Sequence, residues 1–449
     1  MVVSGLRTAL VPALVVPDEQ TWTLSGRDPA VDGVRPVFAP GEAACALLPE
    51  RVPGPLEEPL RALLAELPAG TEVRTRALSI PHAAGVGHGA HHEHAGNHMP
   101  AEHDSNNMGG GHAHMDHGHG HMMAIVGEPS ADGLVMEPIE LRFGPLATPL
   151  PGGLSLDVTL DGDVVADSSV KALLDAEAPS NGTPPGPPDP LAPVAWTLAI
   201  DGAAQRADGA PWRRVAALEV ERALSHLSWL RALGRLLGWS LLVERCAAAL
   251  EGLPPLPGEL GDPSGEGHSA AWSTLERALT RADALSELVR RSCSLRLRSA
   301  GLAAVTGEQA RQAGVRGPVA RASGLRDDAR AGHPLYEQLR FEPAVQSAGD
   351  AHARTLIRAE EAHTSLRLAL AALEADADDI RVASLTVEGE LEGPRGPLRA
   401  RRLTNGWELD AAGAEETRRM AAEAMVGLEW SAALVAAASF DLSPCRVGA

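Results

Sequence analysis

A histidine-rich segment is the part of the sequence with the clearest capacity for chemistry. Of the 17 histidines in the 449-residue chain, 12 lie between His82 and His121. Imidazole nitrogens bind Ni, Zn and Cu(II), and interspersed methionines add affinity for Cu(I). Because a flexible segment cannot impose one coordination geometry, we expect several loosely held ions rather than one catalytic ion. Buffering of metal, a physiological role in storage or delivery, and a solvated spacer all remain open. The candidate metal ligands are His91, His92, His94, His98, His112, His114, His117, His119 and His121.

A second group of ionisable residues lies on a stretch with helical periodicity. Arg222 and His226 interrupt an apolar stripe and are four residues apart, so they are neighbours on one helix face. Further along, residues 314–324 are rich in Gly and carry Arg321, a pattern that fits a structural loop, a loop around a buried site, or an anion-binding loop. These groups either form structural ion pairs or handle protons. The candidate catalytic residues are Glu221, Arg222, His226, Arg321, Asp327 and Tyr336.

Four segments are predicted in the first half of the chain. Residues 1–80 mix short β-like runs with helical spacing and predict a small α/β unit. Residues 81–124, rich in His, Met and Gly, offer no apolar face and predict a disordered insert. Residues 125–177 alternate apolar and polar side chains around the turn pair Asp161-Gly162, which predicts a β-hairpin region. Residues 178–195 are rich in Pro and predict a linker.

The remainder of the chain, residues 196–449, is dominated by helical periodicity. Alternation near 380–403 interrupts it and predicts a pair of strands. The predicted fold class is therefore α+β, with a small N-terminal β-sheet, a bundle of long helices and a C-terminal strand pair. Long helices are predicted at 215–230, 271–298, 351–373 and 414–438.

Composition excludes several classes of protein. The balance of 39 basic against 59 acidic residues gives a net charge of −20, which argues against sequence-independent binding of nucleic acid. The four cysteines are far apart without a CxxC pair, so neither a disulfide framework nor a local thiolate metal site is encoded. The apolar stretch 425–440 is too short to span a bilayer, so we expect membrane association only through partners.

Four motifs follow one another along the chain: LEVERALSHL at 218–227, GVRGPVARASG at 314–324, HPLY at 333–336 and EGPRGPL at 392–398. They resemble the large subunit of NiFe hydrogenases, above all its energy-converting, membrane-bound branch and the related 49 kDa subunit of respiratory complex I. The turn that begins Phe143-Gly144-Pro145 resembles the N-terminal β-hairpin of that family, and the resemblance spans roughly residues 136–449.

This resemblance implies a fold of the hydrogenase large-subunit type and a place in a membrane-associated redox complex. Such a complex is a complex I-like NADH:quinone oxidoreductase or an energy-converting hydrogenase, and it couples electron transfer from an iron–sulfur subunit to the reduction of quinone or protons. The implied partners are an iron–sulfur small subunit and membrane subunits that translocate protons. The implied location is cytoplasmic, peripheral to the inner membrane, with quinone as a candidate ligand.

The residues that carry redox chemistry in that family are largely absent from this sequence. Hydrogenases of the family hold nickel and iron with two CxxC pairs, of which only Cys445 remains here. The complex I branch uses a His in the hairpin turn and a nearby Tyr for quinone, whereas residues 144–153 contain no His and Tyr336 is the sole tyrosine. We therefore predict either a subunit that still shapes a quinone or proton-transfer cavity, or a scaffold without catalysis. The rival prediction is a protein that binds or delivers Ni, Zn or Cu through its His-rich tract.

Overall fold

The computed structural model describes most of the chain outside the histidine-rich segment. The described residues are 11–29, 34–76, 138–146, 148–175, 184–206, 210–261, 268–377 and 390–447. The insert predicted at 81–124, with all of its candidate metal ligands, lies outside these ranges, as does most of the first strand predicted near 380–391.

The first described elements form a parallel sheet. Its order is β2-β1-β3-β4, and each neighbouring pair is parallel. Because β2 lies on one side of β1 while β3 and β4 continue on the other, the strand order reverses between β1 and β3. The two central strands are buried almost throughout, as their runs of Ala, Val and Leu require. The elements are β1 (Val11–Val15), α1 (Glu19–Leu24), β2 (Val34–Pro36), β3 (Cys45–Pro49), α2 (Gly54–Ala65) and β4 (Glu72–Arg76).

An antiparallel sheet follows. It comprises β5 (Ile139–Phe143), β6 (Leu154–Asp161) and β7 (Val164–Ala172), in the order β5-β6-β7. The chain turns between β6 and β7 at Gly162, whose φ of +64° suits glycine. This is the Asp161-Gly162 pair around which the sequence predicts a hairpin, and β6 and β7 are its two strands.

Helices dominate the second half, which begins after the short strand β8 (Leu174–Asp175). The longest of them, α12, packs along α4 and α7, and α4 also packs against α5. Their contact faces are rich in Leu and Ala, and the small side chain of Ala allows close approach of the helix axes. These helices are α3 (Pro193–Ala203), α4 (Pro211–Leu236), α5 (Ser240–Leu250), α6 (Leu256–Gly261), α7 (His268–Arg291), α8 (Cys293–Ser299), α9 (Gly307–Ala313), α10 (Gly317–Ala322), α11 (Pro334–Gln338) and α12 (Ala351–Ala377).

A second antiparallel sheet and two helices complete the described chain. The sheet has the order β11-β10-β9, which is one strand more than the predicted pair. The last strand, β12, pairs in parallel with β8, so residues late in the chain join residues just before the helical half. These elements are β9 (Glu390–Gly393), β10 (Gly396–Leu403), β11 (Gly406–Ala411), α13 (Ala414–Glu423), α14 (Trp430–Phe440) and β12 (Cys445–Arg446).

Three predicted helical or loop segments differ from the structure. The predicted helix 271–298 is two helices, because Ser292 ends α7 and its hydroxyl accepts a hydrogen bond from the Leu295 N–H at the start of α8. The predicted helix 414–438 is also two, separated by a turn in which Gly427 has a φ of +83°. The Gly-rich segment 314–324, predicted to be a loop, contains the short helix α10.

Within the described part of the chain, every helix is too short or too polar to be a transmembrane span.

Candidate functional site

Nine ionisable side chains meet in the interior between α4, α10, α11, α12 and β9, and we call them the buried charge cluster. Each is at most 7% exposed to solvent. Charged groups this deeply buried are tolerated only when oppositely charged partners compensate them. The members are Glu219, Arg222, His226, Arg321, Asp328, Arg330, Tyr336, Glu361 and Glu392.

Glu361 on α12 is the centre of the cluster. Its Oε1 lies 2.7 Å from Nε of Arg321, and its Oε2 lies 3.0 Å from Nη2 of Arg222. The same Oε2 lies 3.1 Å from Nε2 of His226. Burial acts to raise the pKa of Glu361, but Arg321, His226 and Arg222 outweigh it and hold that pKa well below its usual range. Glu361 is therefore an anion shared by residues of two other helices.

The hydrogen bonds of His226 decide which of its ring nitrogens carries the proton. Nη1 of Arg358 lies 3.1 Å from Nδ1 of His226. Since a guanidinium only donates, Nδ1 must accept, and the proton of the neutral ring lies on Nε2, facing Glu361. Burial lowers the pKa of His226 to about 4, so the ring is neutral at pH 7.

Arg321 joins Glu361 to a second pair of carboxylates. Its Nη1 lies 2.9 Å from Oε1 of Glu392 and 3.2 Å from Oδ2 of Asp328. Burial, together with the nearby charge of Asp328, raises the pKa of Glu392 to about 7. Burial also opposes the ionisation of Asp328, but Arg330 and Arg321 lower its pKa to about 2. Glu392 is thus the carboxyl group of the cluster that is most readily protonated near neutral pH.

Arg330 links this pair to the single tyrosine. It binds Asp328 through two hydrogen bonds of 3.0 and 2.8 Å and reaches Glu219 at 3.1 Å, while its guanidinium stacks 4.0 Å from the centre of the Phe341 ring. The hydroxyl of Tyr336 donates to Oε1 of Glu219 at 2.7 Å. Burial and the charge of Glu219 raise the pKa of Tyr336 well above its usual value. The phenol of Tyr336 therefore keeps its proton and donates it in a hydrogen bond to Glu219.

A cavity of about 550 Å³ opens beside the cluster. Its floor includes Arg330, Tyr336 and Glu392, and charged residues of β10 and β11 such as Arg399 and Glu408 form its rim. The volume falls within the range of small-molecule sites. On the floor, however, Arg330 and Tyr336 direct their donors to Glu219 and Asp328, and the two oxygens of Glu392 face Arg321 and the Ala329 N–H.

Two candidate residues from the sequence lie outside the cluster. Glu221 accepts hydrogen bonds from the backbone N–H groups of Val194 and Ala195, at 2.5 and 2.9 Å, and so caps the start of α3. Burial raises the pKa of Glu221 to about 8, although these N–H groups lower it. Asp327 is half-buried and accepts from Nε of Arg316 at 2.7 Å, whereas the cluster uses its neighbour Asp328. The structure brings together the other four: Arg222, His226, Arg321 and Tyr336.

Sequence reasoning missed Glu361, the residue that connects the cluster. The sequence did contain a signal for it, because α12 carries polar residues at positions 354, 358, 361 and 365, spaced by four, three and four. That spacing puts them on one helix face, and all four are buried. A charged stripe buried on a long helix indicates partners on the helices packed against it.

The turn between β5 and β6, residues 144–153, is a second region of interest. It packs against the residues that follow the carboxyl end of β1. The Gly152 N–H donates to Oδ2 of Asp18 at 2.8 Å, and a Cβ atom added to Gly152 would lie 2.4 Å from Cβ of Pro17. The space left between this turn and the parallel sheet is about 20 Å³, roughly the room for one water molecule.

Ion pairs fix the same edge of the parallel sheet to α4. Glu19, at the start of α1, accepts two hydrogen bonds of 2.7 Å from Arg235 and lies 3.2 Å from Nε of Arg231. Arg231 also reaches Asp28 at 3.0 Å. In open parallel sheets the crevice at the carboxyl ends, where the strand order reverses, is the usual ligand site. Here the turn between β5 and β6 and the helix α4 lie against that edge.

Part of the chain is similar in sequence to known proteins. Residues 260–388 match the family model of the respiratory-chain NADH dehydrogenase 49 kDa subunit. An NADH-quinone oxidoreductase subunit of Syntrophobacter fumaroxidans is 40% identical over 102 residues, which are 22% of this chain and 27% of that protein. Another, from Salinispora arenicola, is 30% identical over 181 residues, 36% of this chain and 46% of that protein. In these segments the chain is similar to the 49 kDa subunit family.

The similarity to these 49 kDa relatives is partial in sequence and broader in fold. The matched segments span less than half the length of either relative. A chain from the membrane-bound sulfane sulfur reductase, described as an archaeal respiratory membrane complex, superimposes with a TM-score of 0.58 at 20% identity. That superposition covers 68% of this chain and 97% of the other, so the α+β large-subunit fold predicted from the sequence is confirmed.

The residues present do not fit a thiolate metal centre of the kind found in the NiFe hydrogenases that the sequence motifs resemble. Cys445 is buried, and burial raises the pKa of its thiol well above the usual range, so it is not a thiolate at neutral pH. Across the described ranges, no three side chains among His, Cys, Asp and Glu converge in a way that would hold a metal ion.

A quinone does not fit at the hairpin turn either. The family resemblance implies a quinone near residues 144–153. The pocket between residues 148–150 of this turn and the parallel sheet has a volume of about 20 Å³, whereas small-molecule sites have volumes of several hundred Å³. The residues that close it, including Asp18 and Arg235, are held by the hydrogen bonds described above.

Proposed function

We propose that this 49 kDa relative is a scaffold subunit of a complex I-like respiratory membrane complex and does not itself reduce quinone or hold a redox metal. The observation that carries the proposal is the closed hairpin turn. Residues 148–152 of this turn lie against the chain's own parallel sheet, with room for about one water molecule between them. A subunit that admitted quinone at this turn would need a cleft there.

The internal pairing of the buried charge cluster supports the same proposal. Three guanidinium groups, of Arg222, Arg321 and Arg330, face the four carboxyl groups of the cluster, and Glu392 has a pKa near neutrality. Such mutual compensation is typical of structural ion-pair networks, which also shift pKa values without taking part in catalysis. The cluster then fixes α4, α10, α12 and β9 relative to one another.

The proposed partners are an iron–sulfur subunit and membrane subunits that translocate protons, with this chain at the cytoplasmic face of the inner membrane. The relatives are named as subunits of NADH-quinone oxidoreductase, and the structural neighbour comes from a respiratory membrane complex. This chain carries no span of its own among the described helices, so in such an assembly it would be a peripheral component.

Purification from native membranes tests membership in a complex. The full-length chain, tagged and extracted in mild detergent, should co-purify with a protein that shows iron–sulfur electron paramagnetic resonance signals and with integral membrane proteins. Recovery of the chain alone under conditions that keep other respiratory complexes intact would contradict the proposal.

Substitution within the purified complex tests the scaffold role. Tyr336→Phe and His226→Gln should leave turnover of the assembled complex within about twofold of wild type, because the Tyr336 hydroxyl donates to Glu219 and His226 is fully buried. Assembly must be checked by co-purification of the partners. A complex that assembles fully but loses turnover with Tyr336→Phe would show that the cavity beside the cluster is catalytic and would overturn the scaffold role.

A further inference from the structure

The end of α7 and the whole of α8 present a basic surface on an acidic protein. Between Glu287 and Glu308 the sequence contains four arginines and no acidic residue, although the chain as a whole has a net charge of −20. All four side chains are exposed. The four arginines are Arg290, Arg291, Arg296 and Arg298.

A leucine protrudes from the middle of this surface. Leu297 is 86% exposed, while the other exposed large apolar residues of the described chain are 39–52% exposed. The helix α8 is firmly placed, because Leu295 is buried in the main core and the hydroxyl of Ser299 donates to its carbonyl at 2.6 Å. The ordered helix therefore holds the Leu297 side chain in solvent. Arg296 and Arg298 are its neighbours in sequence.

Further apolar side chains lie next to this helix. Nη1 of Arg298 donates to the carbonyl of Leu237 at 2.8 Å, which places the end of α8 beside the turn between α4 and α5. In that turn Trp239 is partly exposed, and at the start of α5 Leu241 is 43% exposed. We call this surface, Arg290 to Arg298 with Leu237 to Leu241, the α8 patch.

We propose that the α8 patch docks directly onto the headgroup region of an anionic lipid bilayer, with Leu297 inserted and the flanking arginines bound to lipid phosphates. Arginine matches phosphate oxygens in charge and geometry. Leu and Trp among basic residues are typical of surfaces that lie in the membrane interface. A bilayer offers anionic headgroups to the arginines and an apolar interior to the leucine at the same surface.

The charge that acts on the membrane comes mainly from α8. Arg290 and Arg291 both pair with Glu287, so this carboxylate offsets part of their charge. Within the described ranges, neither Arg296 nor Arg298 has an acidic ion-pair partner within 4.0 Å. At physiological salt the Debye length is about 8 Å, so the acidic charges on distant faces are screened from a bilayer at the patch. The inference goes beyond the proposed function, because it requires lipid contact by this chain and not only by its partners.

Sedimentation with lipid vesicles tests the proposal on the purified full-length chain. Binding should be measurable to vesicles of phosphatidylcholine mixed with phosphatidylglycerol, absent with phosphatidylcholine alone, and weakened by added salt. The double variant R296Q/R298Q should bind roughly 30-fold more weakly, from the usual contribution of two arginines near an anionic surface. L297S should also bind several-fold more weakly at unchanged charge.

A matched control separates the patch from general charge effects. R401Q/R402Q removes the same charge from two exposed arginines of β10 and should leave binding unchanged. R296Q alone covers the case in which loss of the Arg298 hydrogen bond disturbs α8. Equal weakening in the control, equal binding to neutral vesicles, full binding by L297S, or no binding to anionic vesicles would each overturn the proposal.

Discussion

At the scale of single residues, Glu361 is the carboxylate that Arg222, Arg321 and His226 share. Glu361→Gln removes its negative charge and leaves two buried guanidinium groups without their main partner. Removing one partner of a buried ion pair typically costs about 3–5 kcal/mol, so the free energy of unfolding should fall by about that amount. Chemical denaturation at pH 7 measures it.

The neighbouring residue on α12 provides the control for this prediction. Glu360 is exposed, so Glu360→Gln should change the free energy of unfolding by no more than about 0.5 kcal/mol. Similar losses from the two substitutions would contradict the central place of Glu361 in the cluster.

His226 should make the fold sensitive to mild acid. Its pKa in the folded chain, about 4, lies below the ordinary value of 6.5, so the stabilisation from the neutral ring is present above pH 6.5 and is lost as the pH falls towards 4. Between pH 7 and pH 5 the loss from this residue is about 2 kcal/mol. His226→Gln should therefore show a smaller loss between these pH values, measured by urea denaturation at each.

A histidine outside the cluster is the control. His363 is partly exposed, and His363→Gln should retain the acid sensitivity of the wild type. The lowered pKa values of Asp328 and Glu361 also make the fold less stable in acid. This contribution is common to the wild type, His226→Gln and His363→Gln, because all three proteins keep both carboxylates. If the free energy of unfolding of His226→Gln fell between pH 7 and pH 5 by as much as that of the wild type, the His226 ring would not be held neutral.

The sequence predicted about half of the buried charge cluster. Arg222 and His226 were found because they interrupt an apolar helical stripe, and Tyr336 because it follows a motif of the family. Glu361 and Glu392 were not selected, since they lie 139 and 170 residues from Arg222 in sequence and only the packing of α4, α12 and β9 brings them together. Local periodicity carries no information about such distant partners.

At the scale of elements, the contact between the 144–153 turn and the parallel sheet has little tolerance. Gly152→Ala would place a Cβ atom 2.4 Å from Cβ of Pro17 and 2.9 Å from Oδ2 of Asp18. Overpacking of this kind costs about 1–3 kcal/mol, which thermal unfolding should detect as a lower Tm. Gly186→Ala, with no atom within 4 Å of the added Cβ, is the control. A Tm equal to that of the control would mean that the turn moves away at no cost.

The boundaries of elements were harder to predict from sequence than their type. The long pattern at 351–373 corresponds to α12, whereas the equally periodic 271–298 and 414–438 are each two helices. Their breaks depend on a serine cap at Ser292 and a left-handed glycine at Gly427. Neither residue disturbs the apolar periodicity, so periodicity alone joins the two helices of each pair.

At the scale of the whole molecule, we propose that any metal bound by this chain is held by the histidine-rich tract. Deletion of residues 82–123 should remove bound Ni, Zn or Cu, measured by elemental analysis after equilibrium dialysis. The melting temperature of the remainder should stay within about 2 °C, since the described residues contain no group of metal ligands.

Two outcomes would contradict this division of roles. Metal retained after the deletion would place the ligands elsewhere in the chain. Loss of electron transfer by a fully assembled complex would favour the metal-delivery alternative over the scaffold role. A point variant in the described part of the chain, Glu360→Gln, serves as the control, and its metal content should match that of the wild type.

The short β8–β12 pair has a consequence for how the protein is made. Leu14 and Val16 share a hydrophobic cluster with Leu174 and Cys445, so the first sheet completes its core only when some of the last residues arrive. At a ribosomal rate of about 5–20 residues per second, on the order of 20–90 s separate the synthesis of Val16 and Cys445. During that interval the nascent sheet exposes apolar surface, and a chaperone that shields it would raise the yield of soluble protein.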